Sequence, residues 1–173
     1  MSKRQFLYEE GAVFALPLED EGYGIGIITR RKPGRGNHGL FGYFFDQRFD
    51  KIPDISNISN LTPDSAVLSL MFGDLGLHRK TWTVIGDLPK FDRCDWPFPE
   101  FFKMPAPLHN PHAEVTVTQY DDKDPGNILG CFRISREEAK KYPEDSLAGA
   151  GAAEFLITQQ IQLKEKNNRN YSV

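Results

Sequence analysis

Gly11-Ala-Val-Phe-Ala-Leu-Pro-Leu-Glu-Asp-Glu-Gly-Tyr-Gly-Ile-Gly-Ile-Ile-Thr29 decides the fold class. Val13 to Leu18 alternates, with Phe14, Leu16 and Leu18 on one side, which is the period of a strand and not of a helix. Pro17 lacks a backbone donor, so this strand is expected at a sheet edge or near its own end. Tyr23 to Thr29 repeats the pattern, with Tyr23, Ile25 and Ile27 on one face and Gly24 and Gly26 on the other. Glycines on alternate positions admit another backbone or a sharp bend. Glu19-Asp20-Glu21 then sits at a hairpin turn between the two strands.

Outward from this hairpin, Leu40 to Phe45, Ala66 to Phe72 and Thr81 to Ile85 read as further strands. The expected architecture is mainly β (α+β): a curved antiparallel sheet, partly closed like an SH3-like barrel, with one or two short helices. Phe14, Leu16, Tyr23, Ile25, Ile27, Leu68, Leu70, Trp82 and Val84 are expected to face one core. Arg30 to Gly39 reads as a basic loop, and Asp46 to Asp64 as a polar one. Asp87 to Pro111 carries six prolines, so it is an extended connector, with Trp96, Phe98, Phe101 and Phe102 packing it against the sheet.

The second half continues with strands at Glu114 to Tyr120 and Ile128 to Ile134, joined by the turn Asp121-Asp-Lys-Asp-Pro-Gly-Asn127. Ser135-Arg-Glu-Glu138 is a capping box, and its helix, Arg136 to Tyr142, must stop before Pro143. Phe155, Ile157, Ile161 and Leu163 share one parity, so Phe155 to Leu163 is expected to be a strand, with helix the alternative. At 173 residues the chain is read as one domain: a β-rich core about 11–105, strands and a short helix about 112–163, and a polar tail 164–173.

Motifs for chemistry are weak. Gly34-Arg-Gly-Asn-His-Gly39 matches the dinucleotide glycine pattern, but a strand follows it where a helix should hold the pyrophosphate. In His109-Asn-Pro-His112 the proline prevents a one-face helical metal pair, and His38 and His78 stand alone. Asp122 to Gly126 opens like a calcium loop, but Gly126 and Arg133 occupy the fifth and twelfth positions where oxygen ligands are required. Cys94 and Cys131 are read as free, buried or half-buried thiols in a reducing compartment. No catalytic, cofactor-binding or metal residue is assigned, and no cofactor is expected. A net charge of -3 disfavours general nucleic-acid binding. The start has basic residues without an apolar stretch behind them, and no run is long enough for a membrane span, so a cytoplasmic location is expected.

The succession Gly11-Ala-Val-Phe-Ala-Leu-Pro-Leu18, Gly22-Tyr-Gly-Ile-Gly26, Tyr43-Phe-Phe-Asp46, Ile52-Pro53, Trp82-Thr-Val-Ile-Gly-Asp-Leu-Pro89 and Phe101-Phe-Lys103 resembles the immunity protein 26 family of bacterial polymorphic toxin systems. Order and spacing agree over Gly11 to Pro105, with a weaker continuation through Leu147 to Gly151 and Glu154. The Arg30 to Gly39 loop is long and basic beside the family. The resemblance implies a small, non-catalytic, cytoplasmic β-rich protein that binds and neutralises a cognate toxin. If that toxin is a nuclease, acidic groups would mimic phosphate in its basic cleft. Glu19, Asp20 and Glu21, together with Asp121, Asp122 and Asp124, are the candidate partner-binding residues. Two alternatives stay open: a small enzyme with an aromatic-lined acidic pocket, and a module that stacks single-stranded nucleic acid on the aromatic strand beside Arg30 to Arg35.

Overall fold

The computed structural model describes residues 8–33, 39–104 and 114–170. Strands β1 (Ala12–Pro17) and β2 (Tyr23–Arg31) form the expected hairpin, with Phe14 opposite Gly26 and Leu16 opposite Gly24. β3 (Gly39–Phe49), β4 (Leu68–Gly73) and β5 (Thr83–Asp87) complete an antiparallel set, with the one-turn helix α1 (Leu75–His78) between the last two. β6 (Phe101–Lys103), β7 (Val115–Tyr120) and β8 (Ile128–Ile134) form a separate antiparallel sheet. After the one-turn helix α2 (Arg136–Ala139), the two-residue β9 (Leu147–Ala148) joins β4 in parallel, and α3 (Ala150–Asn170) follows. The larger sheet runs β5-β1-β2-β3-β4-β9 and the smaller β6-β7-β8.

The mainly β fold class therefore stands, with two differences in its details. The larger sheet does not close into a barrel, since β5 and β9 are its two ends, and β9 makes it mixed rather than purely antiparallel. Irregular registers at Val13/Phe14, Tyr23/Ile25 and Ile28/Arg30 bend it instead. β1 is an inner strand. Pro17 is tolerated there because it is the last residue and β5 pairs only with Ala12 to Ala15.

The larger sheet is buried on both faces, which overturns the single-core expectation. Phe14, Leu16, Leu40, Phe44, Phe72 and Trp82 pack on one face, beneath Ala153, Ile157 and Ile161 of α3. Ile25, Ile27, Phe41, Tyr43 and Phe45 pack on the other, beneath Trp96 and Phe101 of the proline-rich connector. Phe14 and Ile25 thus lie on opposite sides of the sheet. Gly24 and Gly26 make room on the first face. A side chain at Gly26 would come within 2.4 Å of the Phe14 ring, and one at Gly24 within 3.4 Å of Ile157.

The stretch Phe155 to Leu163 is a helix, not a strand. The chain buries Ala153, Ile157 and Ile161, spaced four apart, and leaves Phe155 and Leu163 exposed. Apolar residues at 155, 157, 161 and 163 satisfy period two only because the exposed pair shares parity with the buried pair. Residues 164–170, expected as a polar tail, continue the same helix. Among the described residues the α-helices are thus two single turns plus one of 21 residues, rather than one or two short ones. The α2 cap forms as its sequence requires: Ser135 Oγ accepts from the Glu138 backbone, and the Glu138 carboxylate accepts from the Ser135 backbone at 3.1 Å.

Candidate protein-binding surface

The first acidic turn joins β1 to β2. Leu18 N donates to Gly22 O at 3.0 Å, and Gly22 takes a φ of 82°, which glycine adopts without strain. Glu19 N donates to Thr158 Oγ1 at 3.0 Å, so α3 pins the turn. Asp20 meets Arg48 two-pronged, at 2.8 and 2.9 Å, and accepts from Gln162 at 3.0 Å. Arg48 also donates to Glu165 at 2.8 Å. The bonds from Arg48 and Gln162 hold the Asp20 carboxyl well below the usual carboxylate range. Asp20 is thus a structural clamp between the turn, β3 and α3. Glu19 and Glu21 are exposed, and their carboxylates bond to none of the described residues.

The second acidic turn joins β7 to β8. Its carboxylates are largely used internally. Asp121 Oδ1 accepts from Lys123 N and Asp124 Oδ1 from Gly126 N, each at 2.9 Å, the side-chain turns that aspartate favours. Asp122 meets Arg30 Nε at 2.6 Å and Arg93 Nε at 3.5 Å, and its backbone carbonyl also accepts from Arg93. The two acidic turns do not form one patch. They lie near opposite ends of β2, roughly 23 Å apart along the strand at about 3.3 Å per residue.

Arg30 is not in a basic loop. It is the penultimate residue of β2, and only 3% of it is exposed. The register shift between Ile28 and Arg30 turns its side chain to the connector face. There it donates to Thr29 O at 2.8 Å and Trp96 O at 2.9 Å, with Phe98 5.7 Å away and Asp122 supplying the opposite charge. Sequence reading missed this residue because a basic run follows it. The one signal was that Arg30 extends an unbroken strand pattern. Residues 34–38 and 105–113, which hold His38, His109, His112 and most of the glycine motif, lie outside the described residues.

An open cavity of about 360 Å³ lies between the two sheets, lined in part by Lys32, Met71, Tyr120, Ile128, Asp145 and Leu147. Tyr120 donates to Asp145 at 2.9 Å. Burial first, then that bond and the Asp145 charge, push the tyrosine up to about 12. Among the described residues one carboxylate, Asp145, lines this cavity, whereas acid–base chemistry between carboxylates needs two. Of the β3 aromatics, Phe41, Tyr43, Phe44 and Phe45 are buried and Phe49 is half-buried against the same core, so that strand offers no open row of rings on which bases could stack. Among the described residues no group of three or more His, Cys, Asp or Glu is placed to hold a metal. Both thiols, Cys94 and Cys131, are exposed rather than buried.

Among the described residues eight large apolar side chains are exposed, and four of them lie on the smaller sheet or beside it. Ile128 is 56% exposed, Leu129 59%, Phe132 40% and Leu147 65%. The sequence showed β8 as a strand, and the structure leaves most of it exposed. No helix among the described residues is long and apolar enough to cross a membrane.

The model of a family described as Immunity protein 26 matches residues 9–106, more than half of the chain. The match takes in β1 to β6 and stops before β7. No curated protein and no solved structure matches the chain.

Proposed function

The chain belongs to the immunity protein 26 family, and from that premise we propose that it binds a cognate bacterial toxin in the cytoplasm and neutralises it by occupation, without chemistry of its own. The observation that carries this reading is the family match across the whole β1 to β6 framework. The larger sheet supports it as a rigid scaffold whose turns can present charge. Glu19 and Glu21 are held by a clamped backbone while their carboxylates stay free, which is the preorganised state that favours rapid, specific association. A toxin with a basic cleft, as a nuclease has, is the partner these groups fit. On this reading Glu19 and Glu21 make the contact and Asp20 holds their turn. Asp121, Asp122 and Asp124 form a second, weaker candidate, because their oxygens already serve their own turn and Arg30.

The test is to recover the partner from the native cell with the tagged protein and to co-express the two. Growth restored in a cell that makes the partner, and lost again when the chain is withheld, is the expected result. A partner that is harmless by itself, or one whose toxicity the chain does not relieve, would overturn the reading.

A further inference from the structure

β8 is the outer strand of the smaller sheet, and among the described residues no strand pairs with its free edge. Every second residue of such an edge turns its N–H and C=O outward. Soluble proteins usually guard these groups with proline, lysine or an inward charge. β8, Ile-Leu-Gly-Cys-Phe-Arg-Ile, has no proline. Its one charge, Arg133, is already opposed by Glu114 at 3.5 Å. Ile128, Leu129 and Phe132 are exposed along it.

We propose that β8 pairs antiparallel with β8 of a second copy of this chain, across a two-fold axis near Cys131, so that the two small sheets become continuous. This stands independently of the toxin reading. A two-fold contact must be complementary to itself, and this edge is. With the axis at Cys131, Gly130 lies opposite Phe132 of the other copy, and nothing stands within 4 Å of where a Gly130 side chain would be, so the ring has room. Ile128 lies opposite the partner's Ile134, and the Arg133–Glu114 pair leaves no unbalanced like charges facing across the axis. The ends also match. The turn before β8, residues 121–124, carries three carboxylates and one lysine. The chain from Arg133 to Lys141 carries four basic residues and two glutamates. Antiparallel pairing sets the acidic end of each copy beside the basic end of the other, and parallel pairing would set like beside like.

Sedimentation equilibrium should show monomers giving way to dimers as concentration rises. In Cys94→Ser protein, whose sole thiol is the exposed Cys131, a short bis-maleimide should yield covalent dimer. Cys131→Ser protein, which keeps Cys94, should stay uncrosslinked. Leu129→Lys, at a position 59% exposed and remote from the cores, should match the wild type in stability at dilutions where both are monomeric. It should nevertheless weaken dimerisation by roughly tenfold or more, as should Phe132→Lys. A chain that is monomeric at every concentration overturns the proposal. So does a dimer indifferent to both lysines, or crosslinking as efficient through Cys94. If the chain is monomeric alone and Leu129→Lys abolishes capture of the toxin, the edge belongs to the toxin and self-pairing is wrong.

Discussion

The larger sheet has both faces covered by its own chain, whereas the smaller sheet has its outer strand open. β1, β2 and β3 bury residues of both parities, as Phe44 between Tyr43 and Phe45 shows. β8 buries none. The difference follows from what each sheet is packed with. α3 lies on one face of the larger sheet and the aromatic connector on the other. The smaller sheet uses Phe101 to reach the connector core and α2 to place Tyr142 near Phe132, and nothing described reaches its far edge. The larger region thus carries most of the buried core, and the smaller leaves apolar surface for a second copy of the chain.

Trp82 gives the largest expected contrast. It is fully buried, stacks on Phe14 with ring centroids 5.2 Å apart, and donates to Glu154 at 2.7 Å. Trp82→Ala should lower stability by about 3–5 kcal/mol through cavity formation and the orphaned Glu154. Leu129→Ala in β8 should change it by no more than about 0.5 kcal/mol. Urea denaturation of both variants measures this. Comparable losses would mean that β8 is covered and that the two regions do not differ.

α3 permits the same contrast within one element. Ile157→Ala should cost about 2–5 kcal/mol, because the side chain is fully buried against the face that Gly24 opens. Phe155→Ala, two residues away, should cost far less, about 0.5 kcal/mol, since that residue is 44% exposed. A strand running there would make the two losses similar, because both residues would share a face.

Tyr120 lies between the regions and gives a smaller, pH-dependent effect. Its ionisation is pushed from 10.0 up to about 12 by burial and by the Asp145 bond. The folded state therefore holds the proton more tightly than the unfolded chain. That contribution is complete below pH 10 and disappears as pH rises through about 12. Tyr8 and Tyr43, raised in the same direction chiefly by burial, add a similar decline from the larger region. Tyr120→Phe should be less stable at neutral pH but lose less between pH 10 and 12 than the wild type. Parallel losses in both proteins would place the alkaline transition in the larger region alone.

The strands that bracket the first turn were legible because Phe14, Leu16, Ile25 and Ile27 alternate without interruption. The Ser135–Glu138 cap was legible because its chemistry is local. Three things were not. Two-sided burial depends on which segments return to cover a sheet, and the alternation of Tyr23 to Thr29 is the same whether Gly24 and Gly26 face solvent or Phe14. The identity of α3 was hidden by the accident that its exposed Phe155 and Leu163 share parity with its buried residues. Arg30 reads as a surface cation until the register shift aims it inward. For the candidate surface, the sequence located the acidic turns, but it did not separate Asp20 and Asp122, which bind arginines, from Glu19 and Glu21, which are free. That distinction is made by Arg48 and Arg30, each distant in the chain.

The smallest stability effects accompany the most informative association measurement. Each region carries one acidic turn, so neutralising them separately asks which region meets the toxin. Glu19→Gln with Glu21→Gln removes two carboxylates that bond to no described group, and stability should move by no more than about 0.5 kcal/mol. At the other turn the substitution must keep an acceptor, since Asp121 and Asp124 each receive a backbone N–H. Asp121→Asn with Asp124→Asn does so, because an amide oxygen still accepts. Asp122 is left intact to keep Arg30 paired. Complementary charge acts chiefly on the encounter rate and is screened by salt. If the Glu19 turn is the contact, its double variant should associate roughly tenfold more slowly at low salt, with a flatter salt dependence and little change in dissociation. The Asp121 turn variant should match the wild type. The reverse pattern would move the contact to the smaller region, beside β8. Unchanged rates in both would show that neither acidic turn meets the toxin.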